Sequence, residues 1–594
     1  MTDSQQTRPP KDTKRRNRII LGAIGVVVVV LAGVGVYTYT QLSSARDDID
    51  QARTSATELQ TALESGDQVA AQRSLVSLQQ SIGDADSTLG SALFSAVAKL
   101  PVYGKNIDAV RTVTSTLERV ADTGLPPLVG IADQFNGKTF NPQDGAIDVE
   151  AIAAIGPNVA ESAEVISEAS TDLASIDASS LMGSLQDPVE DVQDKLGHAA
   201  EVAQRASQAS QIVPQMLSGK HRYLLIFQNN AEIRATGGLP GAYAVLEVDD
   251  GEISLGQQGA GAALGNLPYE ATPISDEETE LFDTKLVSDF RDINFTPDFP
   301  RAAEIGTAIL AREQNVEVDG VLSVDPVTLS YVLQGLGPIT LDDGSTLTSE
   351  NAVDVLLNGV YVTYPDPDTQ DEFFASATSK IFDQVLSGGG DPTALLKALT
   401  RATNERRVQV WTKDSAITNQ LGNSALAGKL PLGEDAKNSL GFYMNDATGA
   451  KMQYYLDYDI AAKATKCSDA GAQTYQTVTT LTSTAPADSA NLPESIRGPG
   501  FGAQPGSMLM NLYVYAPDAG KVTELTIDGE ETVSFELTQE GRGVQLVTVQ
   551  LDPGQTVTVE STIKSGLDQR AATQLLATPS INSGSKSSTI RSAC

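Results

Sequence analysis

The densest run of chemistry-bearing residues in this sequence is Asn229-Asn-Ala-Glu-Ile-Arg-Ala-Thr-Gly-Gly238. Two carboxamides (Asn229, Asn230), an acid (Glu232), a guanidinium (Arg234) and paired glycines leave a strand-like segment together. Arginine offers a planar fork of permanent charge, and glycine lets backbone N–H groups approach an oxyanion, so the run suits an anion site. It suits equally a tight turn in which Glu232 pairs with Arg234. It is neither GxGxxG nor a Walker loop, so a nucleotide has little support. A second run, Arg291-Asp-Ile-Asn-Phe-Thr-Pro-Asp-Phe-Pro-Arg301, leads into helical spacing. Thr296 with Pro297, or Asp298 with Pro300, suits a helix start, which leaves Asp292, Asn294 and Arg301 without a capping role. In a third, Tyr361-Val-Thr-Tyr-Pro-Asp-Pro-Asp-Thr-Gln-Asp371, the carboxylates Asp366, Asp368 and Asp371 are either oxygen ligands for a hard cation or a solvated acidic loop.

These runs must be held by the elements around them. Strands are expected over His221–Gln228, Ala242–Val248 and Glu252–Leu255, with Asp249-Asp-Gly251 as a hairpin turn. Helical spacing follows at Pro300–Gln314, a strand at Gly320–Val324, helices at Val327–Leu333, Ser349–Leu357, Asp371–Leu386 and Pro392–Thr403, and a strand at Val408–Trp411. This alternation favours an α/β domain over 218–466. Beyond it, strand-like runs at roughly ten-residue spacing read as an antiparallel β-sandwich over 467–594, with a loosely ordered Ser-rich tail from Thr578. Upstream, 41–217 carries apolar stripes, Leu42, Ile49, Ala52, Ala56, Leu59, Leu63 and then Leu75, Leu78, Ile82, at helical steps, broken by Pro and Gly. That segment reads as an extracytoplasmic helical bundle or stalk. The fold class is multidomain α+β.

Ile19 to Tyr39 is an uncharged apolar run of about twenty residues, enough to span a bilayer core. Six Lys and Arg in residues 1–18 face only Asp3 and Asp12, which places the N-terminus in the cytoplasm and the rest outside. The run is longer than a signal-peptide core and lacks a clear small-residue cleavage site. An uncleaved single-pass anchor over 19–40, behind a cytoplasmic tail of 1–18, is the preferred reading over a cleaved signal. The formal net charge of −35 argues against nucleic-acid binding. Two His and two Cys leave almost no material for a His-based triad or a His/Cys metal cage. In an exported body Cys467 and Cys594 are expected to pair, with two free thiols as the alternative.

The stretches YLLIFQNNAEIRATGGLPGAYAVLEVDDGEI (223–253), RDINFTPDFPRAAEI (291–305) and VDGVLSVDPVTLSYVLQGLGPI (318–339) resemble the bacterial membrane family known as domain-of-unknown-function family 4012, and LTSENAVDVLL (347–357), LGFYMNDATGAKMQYYLDYDI (440–460) and RGPGFGAQPGSMLMNLYVYAP (497–517) extend the match. The element order over 220–390 is also similar, more weakly, to the LytR-CpsA-Psr domain. Members of that family are single-pass envelope enzymes that move a phosphoglycan from a polyprenyl-pyrophosphate carrier onto peptidoglycan, with arginines on the pyrophosphate, aspartates on Mg2+ and an apolar channel for the lipid. The resemblance implies a protein of cell-envelope assembly that binds a polyprenyl-phosphate-linked glycopolymer. Arg234 and Asp292 would be catalytic; Asn229, Asn230, Glu232, Arg291, Arg301, Tyr361 and Tyr364 would bind ligand; and Asp292 with one of Asp366 or Asp371 would hold Mg2+. Tyr361-Val-Thr-Tyr364 stands where that family has paired arginines. A phosphotransferase and a non-catalytic envelope scaffold therefore both stay open.

Overall fold

A computed structural model describes the chain from residue 51 onwards, apart from 52–53, 64–66, 90–103, 136–144, 583 and 585. The expected tail and membrane span, 1–40, and the stripe positions Leu42, Ile49 and Ala52 lie outside the described residues. Among the described residues no helix is long and apolar enough to cross a membrane. The chain divides into two compact units: a helical one within residues 51–218, which also takes 392–397, and a larger one made of 145–146, 219–391 and 398–594.

The helical unit contains α1 (Gln68–Leu89), α2 (Gly104–Arg119), α3 (Val149–Ala174) and α4 (Gly183–Leu217), with a further helical stretch at 54–63. Its core is the expected stripe: Ala56, Leu59, Leu63, Leu75, Leu78 and Ile82 are buried with Val113, Leu117, Leu173, Val192 and Leu196. α3 and α4 run antiparallel, since Gly156 lies against Ser210 while Gly197 lies against Ser170. Pro157, Pro188 and Pro214 fall inside these two helices and do not end them. Burial of one apolar face outweighs the lost backbone bonds there.

In the larger unit a five-stranded sheet has the order β3-β2-β1-β4-β7, with β1 Lys220–Asn229, β2 Leu239–Asp249, β3 Glu252–Ala260, β4 Gly320–Val324 and β7 Gln409–Thr412. A two-stranded hairpin (β5 Ile339–Thr340, β6 Thr346–Leu347) lies between β4 and β7. Only β1 and β4 pair in parallel in the large sheet. The hairpin turn is where the sequence placed it: Asp250 and Gly251 both adopt positive φ, as a two-residue turn that follows strand twist requires. Helices α5 (Phe299–Gln314), α6 (Pro326–Leu336), α7 (Pro367–Leu386) and α8 (Pro392–Asn404), the last from residue 398 onwards, complete this layer. The expected single helix over 349–357 is instead interrupted: Ala352–Asp354 passes through a π-helical turn, Val355–Gly359, into Val360–Thr363.

The sandwich consists of a five-stranded sheet, β13-β12-β16-β10-β9, and a six-stranded sheet, β14-β15-β11-β8-β17-β18. Its strands are β8 Ser439–Asp446, β9 Leu456–Cys467, β10 Gln473–Ser483, β11 Met508–Tyr515, β12 Lys521–Ile527, β13 Glu530–Glu531, β14 Ser534–Gln539, β15 Arg542–Leu551, β16 Thr556–Lys564, β17 Thr573–Ala577 and β18 Ser588–Ile590. The boundary expected at 467 is therefore not a seam, because β8 and β9 already belong to the two sheets. The reason lies in the alternation of β8. Phe442 and Met444 point into the sandwich core, while Tyr443 joins Tyr513 and Tyr515 in the core beneath α5. One sheet thus serves two cores.

The tail is not loose. Thr578 is buried, its hydroxyl accepts from Met444 N and donates to Ala235 O, and the buried guanidinium of Arg407 donates to Ser580 O and Asn582 O. Backbone acceptors held by a buried cation order a segment whose composition alone reads as linker. A disulfide joins Cys467 to Cys594, with the Cα atoms 5.0 Å apart.

Two predictions follow from these contacts. Cys594→Ser is expected to lower the stability of this unit by about 2–4 kcal/mol, read as a shifted denaturation midpoint that added reductant reproduces in the native protein. Burial pushes the Asp298 carboxyl up to about 6 from an ordinary 3.8, although its Oδ1 accepts from Leu430 N. The folded chain thus keeps a proton there that the unfolded chain has lost, and this contribution is complete below about pH 4 and gone above about pH 6. Asp298→Asn should therefore gain stability relative to the native protein as pH rises from 4.5 to 7, measured by urea unfolding at each pH.

Candidate functional site

The site is built at the C-terminal end of β1. Strand alternation sends Leu224 and Ile226 into the core under α5, and Leu225 and Phe227 to the opposite face. That second face is not closed by packing. Between it and α6, the π-helical turn and α7 lies a cavity of about 1070 Å³, lined by Leu225, Phe227, Leu329, Leu356, Phe374 and Ile381 among other apolar groups. The π-turn is part of its wall through Leu356 and Leu357, and delivers Tyr361 to the same cavity. Such insertions into helices recur at functional sites. Loops at the end of β1 bring the charged groups: Glu232, Arg234, Asp289, Arg291, Asp292, Asp446 and Lys451 all line the cavity.

The run after β1 folds back on itself. Gln228 Oε1 accepts from Gly238 N (2.7 Å), Asn229 Oδ1 accepts from Ala231 N (3.0 Å), and Asn294 Nδ2 donates to Gly238 O (2.9 Å). A Cβ at Gly238 would stand 2.4 Å from the Asn229 carbonyl oxygen, so only glycine permits this return. The loop is also fastened to β8: Ala235 N donates to Asn445 Oδ1 (2.8 Å), and Asp446 N donates to Ile233 O (3.0 Å).

Arg234 sits at the centre, its side chain 4% exposed. Its Nη2 donates to Glu232 Oε1 (3.1 Å) and Asp292 Oδ1 (3.0 Å), Nη1 donates to Ile233 O (3.1 Å), and Cζ lies 4.6 Å from the centre of the Phe295 ring. Nε is buried without a partner. Burial alone would lower the guanidinium's pKa, but Glu232, Asp292 and Asp446 outweigh it, so Arg234 stays charged. Asp292 is raised, by burial first and then by Asp289 and Glu232, despite Arg234. Of the two readings of the 229–238 run, the observed geometry is the turn with a Glu232–Arg234 pair, now extended by Asp292.

The other expected site residues divide. Asn229 Nδ2 donates to the Tyr361 hydroxyl (2.7 Å), and burial with the charge of Glu232 pushes that phenol up, so it stays neutral. Asn230 is buried and donates to Gly237 O (3.3 Å), behind the cavity wall. Arg291 lines the cavity with Nε and Nη2 on Asp289 (2.9 and 2.6 Å). Arg301 is elsewhere, held by Glu278 (2.7 Å) and Glu304 (3.1 Å). Tyr364 donates to Asp343 on the surface. Asp366 caps α7 by accepting from Thr369 N (3.0 Å). Asp371 lines the cavity, raised by its partial burial and then by Asp368. Of the residues expected to hold Mg2+, Asp366 is a helix cap, Asp292 is bonded to Arg234 and Asp371 lines the cavity, and no cluster of three His, Cys, Asp or Glu placed for a metal occurs among the described residues.

Sequence reasoning missed Lys451, Asp289 and Asp446. Asp446 is buried and accepts from Thr448 N (3.0 Å), Gly449 N (2.6 Å) and Gln453 Nε2 (2.7 Å), fixing the turn that carries Lys451. The available signal was the polar pair Asn445-Asp446 closing a largely apolar strand, followed by Gly449.

The fold and site together define an α+β protein with an amphipathic cavity, apolar along a sheet face and charged where the strand ends. Residues 218–361 match the sequence model of the family described as "Protein of unknown function (DUF4012)". The matched span holds the Arg234 loop, Asp292 and Tyr361, while Asp446 and Lys451 lie beyond it. No curated protein matches the chain.

Because Arg234 compensates two buried carboxylates, Arg234→Met should destabilise this unit by about 3–5 kcal/mol, and adding Glu232→Gln with Asp292→Asn should recover much of the loss. Chemical denaturation of the native protein and both variants checks this; an undiminished midpoint for Arg234→Met would show the cation to be dispensable for folding.

Proposed function

We propose that this chain is a single-pass, membrane-anchored protein of cell-envelope assembly whose extracytoplasmic body binds a polyprenyl-phosphate-linked glycopolymer through a LytR-CpsA-Psr-like domain. The observation that carries the reading is the cavity of about 1070 Å³, apolar along β1, α6 and α7 and charged at the end of β1. An apolar cavity of ~150 Å³ already binds a benzene ring, and drug-sized ligands occupy ~300–1,000 Å³, so this space suits a long hydrocarbon chain. A polyprenyl phosphate has that form, with an apolar chain ending in an anion. The apolar run at 19–39 behind a basic segment would hold the body beside the membrane where such lipids reside, and a Cys467–Cys594 disulfide suits an oxidising compartment. Peptidoglycan is the acceptor that the family resemblance suggests.

The proposal is one of binding. The two residues expected to carry transfer, Arg234 and Asp292, already hold each other. No step is assigned through Mg2+, because Asp292 is bonded to Arg234 and Asp366 caps a helix. A non-enzymatic carrier or scaffold is the form these contacts favour.

Full-length protein purified in detergent from bacterial membranes should carry polyprenyl-phosphate species, identified by mass spectrometry of extracted lipid. Leu225→Trp, which fills the cavity from the sheet, should reduce that signal at least tenfold while phospholipid carry-over stays constant. Recovery of phospholipid alone from the native protein would overturn the reading.

A further inference from the structure

Four cations line the cavity, Arg234, Lys285, Arg291 and Lys451, against six carboxylates, Glu232, Asp289, Asp292, Asp325, Asp371 and Asp446. An entering anion therefore meets a net acidic wall, and is held only where a cation keeps donors that the protein has not used. Lys285 is solvent-exposed, where water competes for its hydrogens, and Arg234 does not qualify. Both of its terminal nitrogens donate within the protein, its face is covered by Phe295, and its Nε is sealed from solvent.

Lys451 and Arg291 are different. The Lys451 ammonium has three hydrogens and one long contact, 3.4 Å to Glu232 Oε2; its other neighbour is the Tyr361 ring, 4.9 Å from Nζ to the centroid. Two hydrogens are thus left to a ligand. The residue is nonetheless well placed, since its backbone N donates to Ile496 O and the preceding turn is wrapped round the buried Asp446 carboxylate. Arg291 uses Nε and Nη2 on Asp289 and keeps Nη1, with its side chain one-third exposed (33%). Gly265 makes room for that pair, because a Cβ there would stand 2.7 Å from Asp289 Oδ1 and 2.9 Å from Arg291 Nε. The two cations come from separate parts of the chain and share Glu232 as a neighbouring charge, directly for Lys451 and through its field for Arg291.

We infer that Lys451 and Arg291, rather than Arg234, hold the phosphate of the ligand, with the apolar chain running along Leu225, Phe227 and α7. The assignment rests on the lipid-binding reading above and names its head-group contacts. Lys451 supplies a point charge with two available hydrogens, and Arg291 supplies one further donor from a fork already oriented by Asp289. Asn229 holds Tyr361, whose ring lies beneath the ammonium, so Asn229 and Tyr361 act as positioning residues.

The test uses full-length protein in detergent micelles and two probes, a polyprenyl monophosphate and the matching uncharged polyprenol. Lys451→Met and Arg291→Gln should each weaken phosphate binding by roughly 10- to 100-fold and leave polyprenol binding within about twofold of the native protein. Retained polyprenol binding also reports that the cavity is folded; if Arg291→Gln loses it, Asp289→Asn with Arg291→Gln removes the stranded carboxylate and repeats the comparison. Unchanged phosphate affinity in both single variants would overturn the assignment while the lipid-binding reading stands. Parallel loss of both probes in Lys451→Met would overturn it by showing a structural role. Failure of the native protein to bind either probe would remove the lipid reading and the assignment together.

Discussion

A charged guanidinium removed from water is the constraint on which the larger unit turns. Arg234 cannot be buried at 4% exposure without compensation, and its partners come from two places: Glu232 two residues before it, and Asp292 from the segment preceding α5. Meeting this demand pulls the end of β1 against the 290–295 segment, and Phe295 covers the exposed face of the fork. The same loop must hand Ala235 N to Asn445 and accept Asp446 N at Ile233 O, so β8 is brought into register as well. Truncating any one partner would leave a buried charge or amide unpaired, which costs more than the intact pair contributes. The arrangement reads best as a device that specifies one geometry.

That geometry has a consequence on each face of the five-stranded sheet. Under α5 the side chains of β1 and β4 meet a close-packed layer, and Phe290, Ile293 and Phe299 are fully buried there. On the other side the polar loop, the π-helical turn and α7 stand off from the sheet and leave about 1070 Å³ between them. Globular interiors rarely leave such volume open. On the reading proposed above, this apolar space receives the ligand's chain, and its charged end is the part of the wall with polar reach. The surplus of carboxylates there matters as much as the cations. In a chain with a net charge of −35, an anionic ligand depends on the few cations whose hydrogens are not already used.

Much of this was legible in the residues. Period-2 and period-3.6 spacing marked the long helices and most of the longer strands, though not β8 or β9, because burial of one face imposes those periods. Gly320–Val324 falls where expected, and the turn at Asp250-Gly251 follows from the positive φ that such turns require. The 229–238 run was visible as unusual, yet its two readings were equal, since a guanidinium two residues from a carboxylate serves a turn as readily as a ligand. Nothing local says that Asp292 will arrive. The seam expected at 467 failed for a similar reason: β8 alternates between two cores, and a strand with apolar residues on both faces shows only that it is buried, not between which layers. The tail from Thr578 reads as linker by composition, and only the distant Arg407 and Met444 reveal that it is held.

The sequence by itself determined the elements, the acidity, the apolar 19–39 run and the candidate cysteine pair, because these depend on composition and on spacing within one segment. The tertiary structure decided which cations are already used. Arg234 and Arg301, prominent in the sequence, are each held by carboxylates, whereas Lys451, set in an unremarked turn, reaches the cavity with hydrogens to give. Availability of a charge depends on what is packed beside it, and some of those neighbours are distant along the chain, as with Glu232 and Lys451, separated by 219 positions.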